Sequence, residues 1–126
     1  DLETRTLRYS SAGHDAPILF GDNRPTRQVE DFSGPPAGLV ETMEFPVGEI
    51  TLTAGDRLCI FTDGVTEAMN EDGDLFGLDR FMEIMASAPV GLTSAGLVDH
   101  AVAGVATFTG TAEQSDDLTL MIISLP

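Results

Sequence analysis

Residues 57–77 read RLCIFTDGVTEAMNEDGDLFG. The run Leu58-Cys59-Ile60-Phe61 is apolar throughout, as a strand covered on both faces would be, and it ends directly in Thr62-Asp63-Gly64. Five acidic side chains follow: Asp63, Glu67, Glu71, Asp72 and Asp74. A strand driven into an acid-glycine turn has two readings, a solvated turn of the kind Asp and Gly commonly form, or a cation site. A calcium-binding EF-hand loop does not fit. With Gly73 at its invariant glycine, Ala68 falls where the first Asp ligand belongs and Asp79 where a bidentate Glu is expected. The segment NEDGDLFG is therefore expected to form a tight turn after Asn70, with Leu75 and Phe76 returning to the core and the acids left in solvent.

Only one other run looks covered on both faces, Leu118–Ile123, and it is preceded by Ser115-Asp116-Asp117. Its acids stand at the start of the strand, whereas Asp63 stands at the end of the first. If the two strands are antiparallel neighbours, Asp63, Asp116 and Asp117 converge on one edge of the sheet. Converging carboxylates repel one another unless a cation compensates them, and all-oxygen ligation suits Mg²⁺ or Mn²⁺.

The remaining sequence reads as strands, then two helices, then the closing strand. Leu7 and Tyr9 alternate with Thr6 and Arg8; Ala16–Phe20 is an apolar run that turns at Gly21-Asp22-Asn23 into a short partner strand, Thr26–Glu30. Gly34–Val40, GPPAGLV, is a loop because proline removes donors and glycine adds freedom. Phe45–Thr53 resumes with Val47, Ile50 and Leu52 apolar, and Ala54-Gly55-Asp56 predicts a second hairpin into Arg57–Thr62. Leu78, Phe81, Ile84 and Met85 recur at helical spacing up to Pro89. Thr93 can cap a second helix with an apolar stripe of Val98, Ala101, Val102, Val105 and Phe108.

Composition excludes several classes. The chain has 126 residues, enough for one domain, and sets six basic residues against twenty-one acidic ones, a formal charge of -15. Such a surface repels phosphate backbones and anionic lipid, so nucleic acid and membrane insertion are poor expectations. No apolar stretch approaches the roughly 20 residues that span a bilayer. The single cysteine, Cys59, gives no disulfide framework, which favours a reducing cytoplasm. No Gly-x-Ser-x-Gly elbow or lysine-bearing phosphate loop is present. With two histidines, His14 and His100, a His-rich zinc site is not expected; His14, at a strand-to-loop junction, reads as a loop-orienting residue.

Four ordered blocks also carry a family resemblance. YSSAGHDAPILF resembles an Asn-Ala-Gly-His-x-Pro segment, and GPPAGLV a Gly-x-Pro-Leu-Gly-Leu loop. AGDRLCIFTDGVTEAMNEDGDLFG is similar to a block running from Gly-Asp-x-Leu through Tyr-Thr-Asp-Gly to Gly-Glu-x-Phe-Gly, and SDDLTLMIISL to a closing Asp-Asp-x-Thr strand. Together they resemble the SpoIIE family of bacterial PP2C-like (PPM) serine/threonine phosphatases. Ser11, Ala37 and Phe61 depart mildly from the usual Asn, Leu and Tyr.

The resemblance implies an α+β fold, the PP2C-like α-β-β-α sandwich of antiparallel sheets. It also implies hydrolysis of phosphoserine or phosphothreonine by water activated at two Mn²⁺ or Mg²⁺ ions, with Asp63 and Asp116 as metal ligands. Asp117 would make a water-mediated contact, and Gly64 would contribute backbone beside the ligand. The family suggests a regulatory phosphoprotein as substrate, such as an anti-sigma antagonist. Another metal-binding Asp of the family lies in a motif upstream of the matched blocks and has no counterpart here. Residues 1–126 are therefore expected to be the C-terminal part of a single phosphatase domain, inactive alone, with exposed faces through which it could form a homodimer. The alternative is a catalytically silent module that binds the same kind of protein.

Overall fold

The computed structural model describes residues 1–22, 24–29 and 33–125. The predicted turn residue Asn23 and strand end Glu30 lie outside them. The chain runs β1 (Thr6–Tyr9), β2 (Ser11–Ala12), β3 (Ile18–Gly21), β4 (Arg24–Gln28), β5 (Ser33–Gly34), β6 (Gly48–Thr51), β7 (Asp56–Phe61), α1 (Asp63–Thr66), α2 (Leu78–Ala86), α3 (Ser94–Thr109) and β8 (Leu120–Ser124). The main sheet has the order β4-β3-β7-β8 and is antiparallel throughout. Pro25 is accommodated because β4 is an edge strand, where a missing N–H breaks no ladder.

Alternation along the strands divides the apolar residues between two layers. Ile18, Phe20, Cys59 and Phe61 meet α2 and α3, with Phe76, Phe81, Met85, Leu97, Ala101 and Val105 buried among them. The Phe61 and Phe81 rings meet edge to face at 5.1 Å between centroids. On the opposite side Leu19 and Leu58 pack with Val29 and Ile50. Ile50 belongs to a second, two-stranded antiparallel sheet in which β6 pairs with β1, Leu7 opposite Ile50. Helices, main sheet and second sheet thus stack as α-β-β, three layers of the expected sandwich. A two-residue parallel ladder, β2 with β5, is the exception to antiparallel pairing.

Several expectations are corrected. The second hairpin does not form: β6 pairs with β1, while β7 has β3 on one edge and β8 on the other. Ala54-Gly55-Asp56 makes a corner between layers. Asp56 is 4% exposed; it accepts the Thr53 amide at 2.7 Å and pairs with Arg24 at 2.8 Å. With both edges of β7 occupied, Ile50 packs across the sheets instead of beside β7, and Val47 stays exposed.

The closing strand is not central. β8 is an edge strand, and Met121 and Ile123 are 49% and 45% exposed. Its sequence is apolar on both faces, but among the described residues only the helical face has a covering layer. In the helix stripe Val102 is exposed, and Leu97 takes its place in the core beside Ala101 and Val105. The Thr93 cap forms as predicted, its hydroxyl accepting the Gly96 amide at 3.1 Å. Among the described residues no helix is long and apolar enough to cross a membrane.

Candidate metal centre

The pairing that the acid turns require is present: β7 and β8 are antiparallel neighbours, with Phe61 opposite Leu120. Past that register the two turns are joined by Thr62. Its amide donates to the Thr119 carbonyl at 3.2 Å; its hydroxyl accepts the Thr119 amide at 3.1 Å and donates to the Asp117 carbonyl at 3.3 Å. One hydroxyl therefore closes the ladder and ties the start of Asp63's turn to the end of the Asp116-Asp117 turn. Sequence reading treated Thr62 only as a strand end; a hydroxyl immediately before the acid was the available signal.

Gly64 makes the approach possible. A Cβ there would stand 2.3 Å from the Asp117 carbonyl oxygen, inside any real contact distance, so only glycine lets the two backbones meet. Asp63 opens the single-turn helix α1, and its carbonyl accepts the Glu67 amide at 2.7 Å. The Asp116 carboxylate accepts the Asp117 amide at 2.7 Å, and the Gln114 side chain donates to the Asp116 carbonyl at 2.7 Å. All three acids are exposed, and none is in an ion pair among the described residues.

A cavity of about 300 Å³ opens over Asp63, lined by Gly13, His14, Asp15, Thr62, Thr66 and Glu67. Asp15 and Glu67 in that wall were not singled out from sequence. His14 reaches it because Gly13, at φ +85°, fits against Pro36, where a Cβ would come within 2.9 Å of the proline ring. The first and second motif blocks meet at this contact. The Ser11 hydroxyl accepts the His14 amide and donates to the His14 carbonyl, at 3.2 and 3.1 Å. The ring Nδ1 lies 3.2 Å from the Asp15 carbonyl, which can only accept, so Nδ1 carries the proton. Asp116 and Asp117 do not line this cavity; their segment runs over a second one, on the far side of Gly64. Among the described residues no three His, Cys, Asp or Glu side chains are grouped to hold an ion.

The model of the family described as Stage II sporulation protein E (SpoIIE) matches residues 1–126. The chain belongs to the SpoIIE family. It is 33% identical over 67 residues to Phosphoserine phosphatase RsbP of Bacillus subtilis, which is 53% of this chain and 16% of that protein. It superposes on the phosphatase domain of the cell fate determinant SpoIIE from Bacillus subtilis, presoaked with Mn, with a TM-score of 0.72 at 18% identity. That match covers 99% of this chain and 53% of the other. The RsbU and RsbW domains of Rv1364c from Mycobacterium tuberculosis match with a TM-score of 0.71 at 26% identity, over 94% of this chain and 32% of that one. The fold of this SpoIIE-family chain is that of a PP2C-type phosphatase domain, and the chain spans about half or less of each relative's length.

Proposed function

We propose that this chain is the C-terminal part of a metal-dependent serine/threonine phosphatase domain, hydrolysing a phosphoserine or phosphothreonine ester in a regulatory protein such as an anti-sigma antagonist. The observation that carries the reading is the Thr62 clasp, which joins two acid turns at one end of adjacent antiparallel strands in a SpoIIE-family chain. The donor set suits hard divalent ions. Among the described residues Asp63 and Asp116 offer carboxylate oxygens without a competing cation, and the Asp117 amide orients one Asp116 oxygen. These two residues would hold Mn²⁺ or Mg²⁺, with Asp117 acting through water. When bound, such ions supply positive charge to phosphoryl oxygens and acidify water for in-line attack.

Gly64 keeps the two turns in register, and the Ser11-braced loop holds His14 at the cavity over Asp63. Two carboxylates do not complete a two-ion centre. We assign the remaining ligands to the portion of the domain that the relatives possess beyond the matched span. A cytoplasmic setting fits a lone buried thiol, and the apolar face left open beside β8 suits a homodimer or the rest of the domain.

The test is turnover of a phosphoserine peptide by the complete protein. Activity should require Mn²⁺ or Mg²⁺. It should fall more than about 100-fold in Asp63→Asn and in Asp116→Asn, since even outer partners of metal ligands cost 10–100-fold. Asp117→Asn should stay within about 10-fold, because Asn keeps an oxygen for a bridging water. Unchanged activity in Asp63→Asn would reject the site. A second reading, a silent binding module, draws on the absence of a three-ligand group among the described residues. A complete protein that binds its phosphoprotein but never turns it over with metal present would establish that reading.

A further inference from the structure

Segment 110–119, which carries Asp116 and Asp117, has no helix or strand. Leu118 packs on the helical core cluster, but the stretch before it borders a cavity. That cavity, of about 240 Å³, is lined by Ala112, Gln114 and Leu118 together with Gly64, Met69 and Val105. Residues bordering a cavity have fewer packing contacts than a filled core gives, so hydrogen-bonded anchors at the segment's ends contribute to where its carboxylates stand. Thr62 holds the end next to β8. At the other end, one Glu71 oxygen accepts the Thr111 amide at 3.3 Å and also the Thr111 hydroxyl, across 40 residues of sequence.

Glu71 can serve as a fixed post because its own turn is closed. The Asn70 side chain accepts the Asp72 and Asp74 amides at 3.1 and 2.8 Å, and Met69 bridges Leu75 at the base. This part of NEDGD forms as predicted, but Glu71 is not idle in solvent, and Leu75 stays 53% exposed while only Phe76 returns to the core. We propose that Glu71 is a positioning residue: its bonds to Thr111 fix the near end of the segment that bears Asp116 and thereby set the ion affinity of the centre. The inference rests on the phosphatase reading above.

Electrostatics makes the contact informative. The chain is strongly acidic, and the segment Glu71 touches carries Glu113, Asp116 and Asp117, so repulsion alone would push this carboxylate away. Two donors on one residue offset that repulsion. The same hydrogen bonds, the Thr111 hydroxyl's first, lower the pKa of the Glu71 carboxyl, as donors to its charged form do.

The experiment uses the complete protein with Glu71→Ala, Glu71→Gln and Thr111→Val, and Asp72→Asn as control, a side chain in the same turn with no hydrogen bond among the described residues. Mn²⁺ binding is followed by electron paramagnetic resonance, turnover by phosphopeptide hydrolysis, and amide exchange of residues 111–117 without metal. Loss of one such anchor should weaken Mn²⁺ binding about three- to ten-fold and speed exchange by a similar factor. Turnover at saturating Mn²⁺ should stay within about two-fold. Glu71→Gln, which retains an acceptor oxygen, should restore most of the loss; Thr111→Val, which keeps the amide donor, should cost less than Glu71→Ala, and the two together should cost no more than Glu71→Ala alone. Unchanged exchange and Mn²⁺ midpoint in Glu71→Ala would overturn the proposal, as would equal losses in Asp72→Asn. A wild-type protein that binds no Mn²⁺ would instead sink the phosphatase reading and the purpose assigned to Glu71, with the exchange data still reporting whether the anchor exists.

Discussion

On one face of the main sheet Ile18, Phe20, Cys59 and Phe61 lie under two helices in a cluster of twelve buried described residues, whereas on the other Leu19 and Leu58 share a cluster of four with Val29 and Ile50. β8 shows the contrast within one strand. Leu120 and Ile122 pack on the helical cluster, while Met121 and Ile123 point the other way and are about half exposed. Beside Ile123 an apolar cavity of about 400 Å³ opens among Leu7, Ile50, Leu58 and Ile60. Residues of equal hydrophobicity, one position apart, thus differ in burial because one side has a layer packed over it and the other is only partly roofed by β1 and β6.

The largest effect should come from Cys59, on the helical face. Burial disfavours its thiolate and pushes the thiol pKa up to about 12. At pH 8 thiol reagents should label it about a thousand-fold more slowly than an unfolded cysteine near 8.5. Because the folded value is raised, this group's contribution to stability is complete below the unfolded pKa and erodes as pH climbs towards 12. Fast labelling under native conditions would mean that the helical layer opens readily.

Next in size is Phe81→Ala. Phe81 is 0% exposed and touches both Phe61 and Phe76, so its truncation should cost about 3–5 kcal/mol in urea denaturation. A loss under about 1 kcal/mol would place the stable core elsewhere.

Gly64→Ala tests the junction at the end of the sheet. Its methyl would meet the Asp117 carbonyl at 2.3 Å, and relief by backbone movement should cost about 1–3 kcal/mol. On the phosphatase reading proposed above, movement of the Asp117 backbone away from α1 should also lower Mn²⁺ affinity, even at temperatures where the protein stays folded. Unaltered binding would show that the close approach is not needed for the ion.

Ile123→Ser should have the smallest effect, about 1 kcal/mol or less, because close to half of the side chain is already in solvent. A much larger cost, or a dimer in sedimentation that the substitution dissociates, would show that the open face is covered by a second copy or by another part of the domain.

What could be read in the residues was local or came in pairs of matching chemistry. The Asn70 turn, the Thr93 cap and the two helices follow from side chains acting on backbone within a few residues. The two doubly apolar runs with acids at opposite ends marked β7 and β8 as candidates for antiparallel neighbours, a pairing the residues raised as a condition and the structure supplies. Neither the partner of β6, nor the pairing of Asp56 with Arg24, nor the reach of Glu71 to Thr111 could be read in this way. Hydrophobic period reports which faces of a segment avoid water, and turn chemistry reports where the chain bends. Which layer covers a face, and which distant hydroxyl meets a carboxylate, depend on contacts between residues tens of positions apart, and those are chosen only when whole layers pack together.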